Sequence, residues 1–158
     1  SHSVAVSGVG KDALGDFLNE LRRGVGQEIF ARGTNEILGC ARAMKKGRML
    51  GLIADQDGGY HGIFVPFFGK MASTPEGPAY FARKFKAPVV PIFMVRKPSG
   101  YGHQVFVKEP IYYEDTGNRE KDDYKITLKM TQEVEKIIRQ YPDNWIWFQH
   151  RWNTPWNG

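Results

Sequence analysis

Met49-Leu50-Gly51-Leu52-Ile53-Ala54 runs straight into Asp55-Gln56-Asp57-Gly58-Gly59. A run of this length with no polar break has the signature of a buried strand. The missing alternation predicts one covered on both faces, as in a parallel sheet. Open α/β sheets bind ligands just beyond the carboxyl ends of such strands. Two carboxylates one residue apart at that end can share a divalent cation, orient a sugar hydroxyl or hold a histidine. The same residues also suit an ordinary Asp-rich turn before paired glycines.

Upstream, Leu14, Phe17, Leu18 and Leu21 fall at helical spacing, predicting a helix from about Lys11 to Arg23 that ends at Gly24 and Gly26. Glu28–Ala31 is expected as a short strand closing on Arg32-Gly33. Thr34 can cap a second helix carrying Ile37, Leu38, Ala41 and Met44, with Gly47 as its stop. Downstream, Ile63–Phe68 is a short apolar segment in which Pro66 argues against a central strand. Ser73-Thr74-Pro75-Glu76 has the pattern of a helix start, with Ser73 or Thr74 as cap and Glu76 completing a capping box. Val89–Val95 is expected as a buried strand that turns through Ser99–Gly102 into His103–Lys108, a hairpin. A long helix follows over about Glu120–Gln140, broken by Pro142, and the tail Trp145–Trp152 is dense in aromatics. Helices alternating with buried strands make an α/β domain, a mostly parallel sheet covered by helices with an antiparallel hairpin added.

With 158 residues the chain is expected to form one domain, residues 1–158. Ser1-His2-Ser3 reads as a cloning remnant. One cysteine, Cys40, can make neither an internal disulfide nor a structural zinc site, which fits a reducing compartment. No run of about 18 apolar residues is present, and the chain is expected to be soluble. A net charge of +5 favours anionic partners: phospholipid, a phosphorylated substrate, an acidic carrier protein or nucleic acid.

Beyond Asp55 and Asp57, Arg32 at a strand end could clamp a phosphate with its guanidinium fork. Thr74 and Ser73, at the expected helix start, could offer amides to an anion. His61 lies near the acids as a candidate base. Arg151 in the aromatic tail could stack or hold an anion, and such a tail suits a nucleic-acid strand, a membrane interface or the cap of a core. No nucleophile elbow, P-loop, H-E-x-x-H or dinucleotide fingerprint occurs.

Together, Ile53–Gly59, Val65–Gly69, Thr74–Arg83, Ala87–Pro91 and the closing run from Pro142 to His150-Arg151-Trp152-Asn153-Thr154 resemble the bacterial lipid A biosynthesis acyltransferases. Leu21-Arg22-Arg23 and Gly26 fit the same pattern, so the likeness spans nearly the whole chain from about Val4. The resemblance implies a glycerol-phosphate-acyltransferase-like fold. It also implies transfer of an acyl chain from acyl carrier protein to a hydroxyl of a lipid A precursor, at the cytoplasmic face of the bacterial inner membrane. The partners it implies are the carrier thioester, a phosphorylated glycolipid acceptor and the membrane surface, with no nucleic acid. It implies neither cofactor nor metal. Arg32, Asp55, Asp57, Thr74 and Arg151 become the expected substrate-binding residues.

The family's catalytic base is a His-x4-Asp/Glu pair, and this chain has none: five positions after His2, His61, His103 and His150 stand Ser7, Pro66, Lys108 and Pro155. No catalytic residue is therefore assigned. The chain is expected to be the later part of an acyltransferase domain and inactive by itself. Two other readings follow from the residues: a metal-dependent nucleotide-sugar glycosyltransferase using Asp55 and Asp57, and a non-catalytic module binding anionic lipid or nucleic acid.

Overall fold

The computed structural model describes residues 4–7, 13–31 and 36–158. The chain separates into two compact units, Ser1–Ile53 and Ala54–Gly158.

In the first unit three short strands form a parallel sheet in the order β2-β1-β3: β1 Val4–Ser7, β2 Glu28–Ala31 and β3 Leu50–Gly51. Helix α1 (Ala13–Gly24) connects β1 to β2, and α2 (Glu36–Lys45) lies between β2 and β3. β1, at the centre of the sheet, is an element the sequence pattern did not flag. The expected strand 49–54 is paired only at Leu50–Gly51. Both helices turn small residues inward. Gly15 is the buried residue of α1, and Cys40 and Ala43 are buried on α2. A Cβ on Gly39 would meet the Phe30 ring at 2.4 Å, so α2 lies tight against β2. The expected apolar stripe of α1 is not buried: Leu14, Phe17 and Leu21 are 65%, 54% and 54% exposed. Arg32 and Thr34 lie outside the described residues.

The second unit begins at the Asp55–Gly59 loop. β4 (Ile63–Phe67) and β5 (Lys70–Thr74) pair antiparallel, joined only by Phe68-Gly69. Both joining residues have positive φ, 50° and 77°, the geometry of a two-residue hairpin turn whose twist matches the strands. Pro66 is tolerated because this sheet has two strands, so a missing amide can face outward. α3 covers Gly77–Phe85. β6 (Ile92–Arg96) and β7 (His103–Val107) form the expected hairpin, and α4 spans Arg119–Gln140.

Three expectations differ from what the described residues form. The mostly parallel sheet covered by helices is not what the described strands form: parallel pairing is confined to the first unit, and both pairs in the second are antiparallel. The short turn after β4 enforces this, since a parallel partner needs a long crossover. Val89–Pro91 stays out of β6 and makes a single bridge to Ile111, because Pro91 offers no amide to a ladder. Ser73 and Thr74 do not cap α3. They are the last, buried residues of β5, and the cap position falls to Glu76, whose side chain makes no capping bond. Their hydroxyls are committed elsewhere, as described below.

Two apolar clusters hold the second unit. Ala79, Ala82, Ile111, Ile126 and Met130 join α3 to α4, with Ala54 and Ile63 packed on them. Phe67, Ala72 and Ile138 form the other, with Phe68, Val134, Trp145 and Trp152 around them. Burying one side chain such as Phe67 stabilises the fold by about 1.5–3 kcal/mol. Trp145 and Trp152 meet the Phe67 ring at 5.7 and 5.5 Å, so the tail is anchored at both ends of the segment that carries Arg151.

Candidate functional site

The loop after Ala54 is held by the tail, and each carboxylate takes a different partner. Asp55 Oδ2 accepts the indole N–H of Trp145 at 3.2 Å. Asp57 Oδ1 accepts the Gly59 amide at 2.8 Å and the Thr154 hydroxyl at 2.6 Å, and its Oδ2 accepts the Thr154 amide at 3.1 Å. The loop also lies against β5: the Gly58 amide donates to the Ser73 carbonyl at 3.0 Å, and Ser73 Oγ donates to the Gly59 carbonyl at 2.6 Å. Gly58 is required for this approach, because a Cβ there would stand 2.6 Å from the Thr74 carbonyl carbon.

Arg151 locks the arrangement from behind. It is 1% exposed. Its Nη1 donates to the Ser73 carbonyl, its Nη2 to Thr74 Oγ1 at 2.7 Å, and its guanidinium lies 5.1 Å from the centre of the Phe67 ring. Its Nε has no hydrogen-bond partner among the described residues. Burial lowers the Arg151 pKa, and the charges of Asp57 and Asp55 oppose that shift. For Asp57, burial would raise the pKa, but the Thr154 and Gly59 bonds and the Arg151 charge outweigh it and hold the carboxyl below its ordinary value.

Four of the five expected site residues, Asp55, Asp57, Thr74 and Arg151, therefore come together; Arg32 lies outside the described residues. Only Asp57 lines an open cleft, of about 330 Å³, with Gln56, Gln149, His150 and Asn153. Thr74 and Arg151 are buried and bonded to each other, so they set the loop's position rather than face that cleft. His61 sits exposed in a short 3₁₀ turn, Gly59–His61. Among the described residues no group of three or more His, Cys, Asp or Glu could hold a metal ion. Asp55 Oδ2 and both oxygens of Asp57 accept from tail and loop donors. Sequence reasoning gave Gln56, Gln149 and Asn153 no role of their own, since a carboxamide carries no motif. Trp145 and Thr154 entered only as ends of the closing run.

Residues 9–154 match the family model described as bacterial lipid A biosynthesis acyltransferase. Among curated proteins, a lipid A biosynthesis lauroyltransferase of Escherichia coli (strain K12) is 32% identical over 122 residues, covering 75% of this chain and 38% of that protein. A palmitoleoyltransferase of the same strain is 29% identical over 124 residues, 77% of this chain and 39% of its own length. A phosphatidylinositol mannoside acyltransferase of Mycolicibacterium smegmatis is 27% identical over 138 residues, 84% of this chain and 42% of that protein. The chain thus spans about two-fifths of the length of these relatives. No described helix is long and apolar enough to cross a membrane. With a family match running from residue 9 through the Asp57–Thr154 clamp, the chain belongs to the bacterial lipid A biosynthesis acyltransferases.

Proposed function

We propose that the protein to which this chain belongs transfers a fatty acyl group from an acyl carrier protein thioester to a hydroxyl of a lipid A-type glycolipid. The reaction takes place at the cytoplasmic face of the inner membrane, and this chain supplies part of the acceptor site. The acceptor oxygen attacks the thioester carbonyl carbon, its proton passes to a general base, the new C–O bond forms, the C–S bond breaks and the carrier thiol leaves. Hydrogen-bond donors stabilise the oxyanion between the two steps. No histidine of this chain has the acid five residues on that the family's base requires, so the base is assigned to residues outside it. Arg32, Asp55, Asp57, Thr74 and Arg151 are assigned to the substrate site: Arg32 to a phosphate of the acceptor, Asp57 to the cleft, the others to holding Asp57 in place. The incomplete domain belongs to a larger, mostly parallel sheet of glycerol-phosphate-acyltransferase type.

The observation that supports this reading best is the family match over residues 9–154, because it includes every member of the clamp from Asp55 to Thr154. The test is to incubate the product of the complete reading frame with an acyl carrier thioester and a lipid A precursor, then read the lipid by mass spectrometry. A mass gain of one acyl group is expected from the complete protein and none from residues 1–158 alone. A complete protein that leaves the precursor unchanged overturns the proposal. Manganese dependence with a nucleotide sugar as donor would favour the glycosyltransferase alternative.

A further inference from the structure

We infer that one end of the second unit is a docking surface for an anionic lipid bilayer. The aromatic tips of two turns enter the headgroup layer, and cations around them meet its phosphates. The inference rests on the acyltransferase proposal only for what the bilayer carries, the glycolipid acceptor.

Three turns gather at the carboxyl end of α4. The β4–β5 turn is held there by the Phe68 amide, which donates to Glu135 at 2.7 Å. The β6–β7 turn is held by the Arg96 amide, which donates to Asn144 Oδ1 at 2.8 Å, and by Phe106 against Tyr141 at 5.5 Å. The tail turn at residues 146–149 is closed by the Gln149 amide on the Ile146 carbonyl at 3.2 Å. It packs Trp147 on Trp145 and Phe68 at 4.9 and 5.8 Å.

Turn tips ordinarily carry Gly, Asn, Asp, Ser or Pro. These carry large apolar side chains instead. Trp147 and Phe148 are the two central residues of the tail turn, 49% and 92% exposed, with Ile146 beside them at 70%. Tyr101 tips the β6–β7 turn at 91%. The tail thus divides its aromatics: Trp145 and Trp152 close on Phe67, and Phe148 is left to solvent. Trp147 keeps its ring half exposed while its N–H donates to the Pro142 carbonyl at 2.6 Å. An apolar ring with a satisfied polar tip suits the boundary between water and lipid.

Charge commits the surface to an anionic partner. Lys70 follows the β4–β5 turn, and Arg96 and Lys97 open the β6–β7 turn. All three are exposed and make no ion pair among the described residues. Lys136 and Arg139, near the end of α4, are matched by Glu133 and Glu135, and exposed Asp143 opposes the three with a single negative charge. Aromatic tips ringed by an excess of lysine and arginine suit anionic headgroups. Gln149 and His150, which follow the tail turn, line the Asp57 cleft. Seated this way, the cleft opens beside the headgroups, and an acceptor reaches it without leaving the bilayer.

The experiment is sedimentation of the 158-residue chain with vesicles of phosphatidylglycerol and phosphatidylethanolamine, against vesicles of phosphatidylcholine alone. Binding to the anionic vesicles that weakens as salt is raised is expected, with little binding to the neutral ones. Phe148→Ser should weaken it about tenfold, the loss of one buried aromatic side chain. Lys97→Gln should weaken it about fivefold, the worth of one cation near an anionic surface. Both side chains are exposed, so the variants keep the fold. Tyr60→Ser and Lys121→Gln, exposed positions beside the opposite ends of β4 and α4, should leave binding unchanged. Equal binding to neutral vesicles, no binding to either, or full binding by Phe148→Ser and Lys97→Gln overturns the inference. So does self-association that Phe148→Ser abolishes in place of vesicle binding, which would give this end to a second copy. Failure here is separable from failure of the proposed function. A chain that binds anionic vesicles while the complete protein yields no acylated product leaves the surface standing. Acylated product beside a chain indifferent to vesicles removes the surface alone.

Discussion

Thr154 grips Asp57 at both oxygens: its hydroxyl reaches Oδ1 at 2.6 Å and its amide reaches Oδ2 at 3.1 Å, across 97 residues of sequence. Replacing Thr154 by Val keeps the shape and the amide bond and deletes the hydroxyl bond. A hydrogen bond to a charged acceptor contributes about 1.5–3 kcal/mol. Thr154→Val should therefore lower the urea midpoint with an unchanged slope. An unshifted midpoint would show that the hydroxyl bond contributes nothing net.

Arg151 should be the costlier position. Alanine there leaves the Ser73 carbonyl with the Gly58 amide alone, takes the donor from Thr74 Oγ1 and opens a void against Phe67. About 3 kcal/mol or more is expected to be lost. Arg151→Lys keeps the charge but replaces a planar fork by a single ammonium, and should recover only part of that loss. Thermal unfolding of the two variants side by side checks the order; a lysine variant equal to the natural protein would remove the fork from the argument.

Acid should loosen the second unit through Asp57 and Glu135. For Glu135 burial acts upward, and the Phe68 amide bond and Arg139 more than offset it, so its pKa, like that of Asp57, is lowered from the ordinary values of 4.5 and 3.8. A carboxyl whose folded pKa is depressed contributes stability that is complete above its unfolded value and is lost as pH falls through the folded one. Stability should thus be flat above about pH 5 and fall below about pH 4.5. Asp57→Asn and Glu135→Gln should each be less stable at neutral pH and show a shallower acid slope. A double variant with the natural slope would place the acid sensitivity in other groups.

Two glycines separate backbone strain from crowding. Gly69 has φ of 77° and open space where a Cβ would stand, so Gly69→Ala should cost only the left-handed conformation, about 1–2 kcal/mol. Gly58 has an ordinary φ of −82° but no room, its Cβ falling 2.6 Å from backbone of Thr74. Gly58→Ala should push the loop off β5 and shift the amide signals of Ser73 and Asp57, a change Gly69→Ala should not produce. Similar spectra for both variants would refute the close approach.

Elements whose signal is local were legible in the sequence. Gln140 closes α4 ahead of Pro142, and β6–β7 forms around the glycine turn at residues 100–102, both as expected from propensity and breakers. The β4–β5 hairpin was hidden because Phe68 takes the left-handed turn position usually given to Asn or Gly. Its cost is offset by tertiary contacts: the Glu135 carboxylate accepts its amide at 2.7 Å, and Arg139 lies 4.7 Å from its ring centre. Ser73 and Thr74 carried a cap signal that lost to a distant guanidinium, a partner that local pattern cannot reveal. The carboxylates and Arg151 were legible as chemistry-bearing residues. That Arg151 is buried behind β5 while Asp57 lines the cleft required three dimensions.

The order of synthesis gives the clamp a further meaning. On a growing chain Asp55 and Asp57 emerge long before Trp145, Arg151 and Thr154, the groups that bind or neutralise them. Until then the loop's two negative charges gain more from water than from β5, and the Gly58 and Ser73 bonds alone hold it in register. A translation product cut short before Arg151 therefore carries the loop without the groups that clamp it.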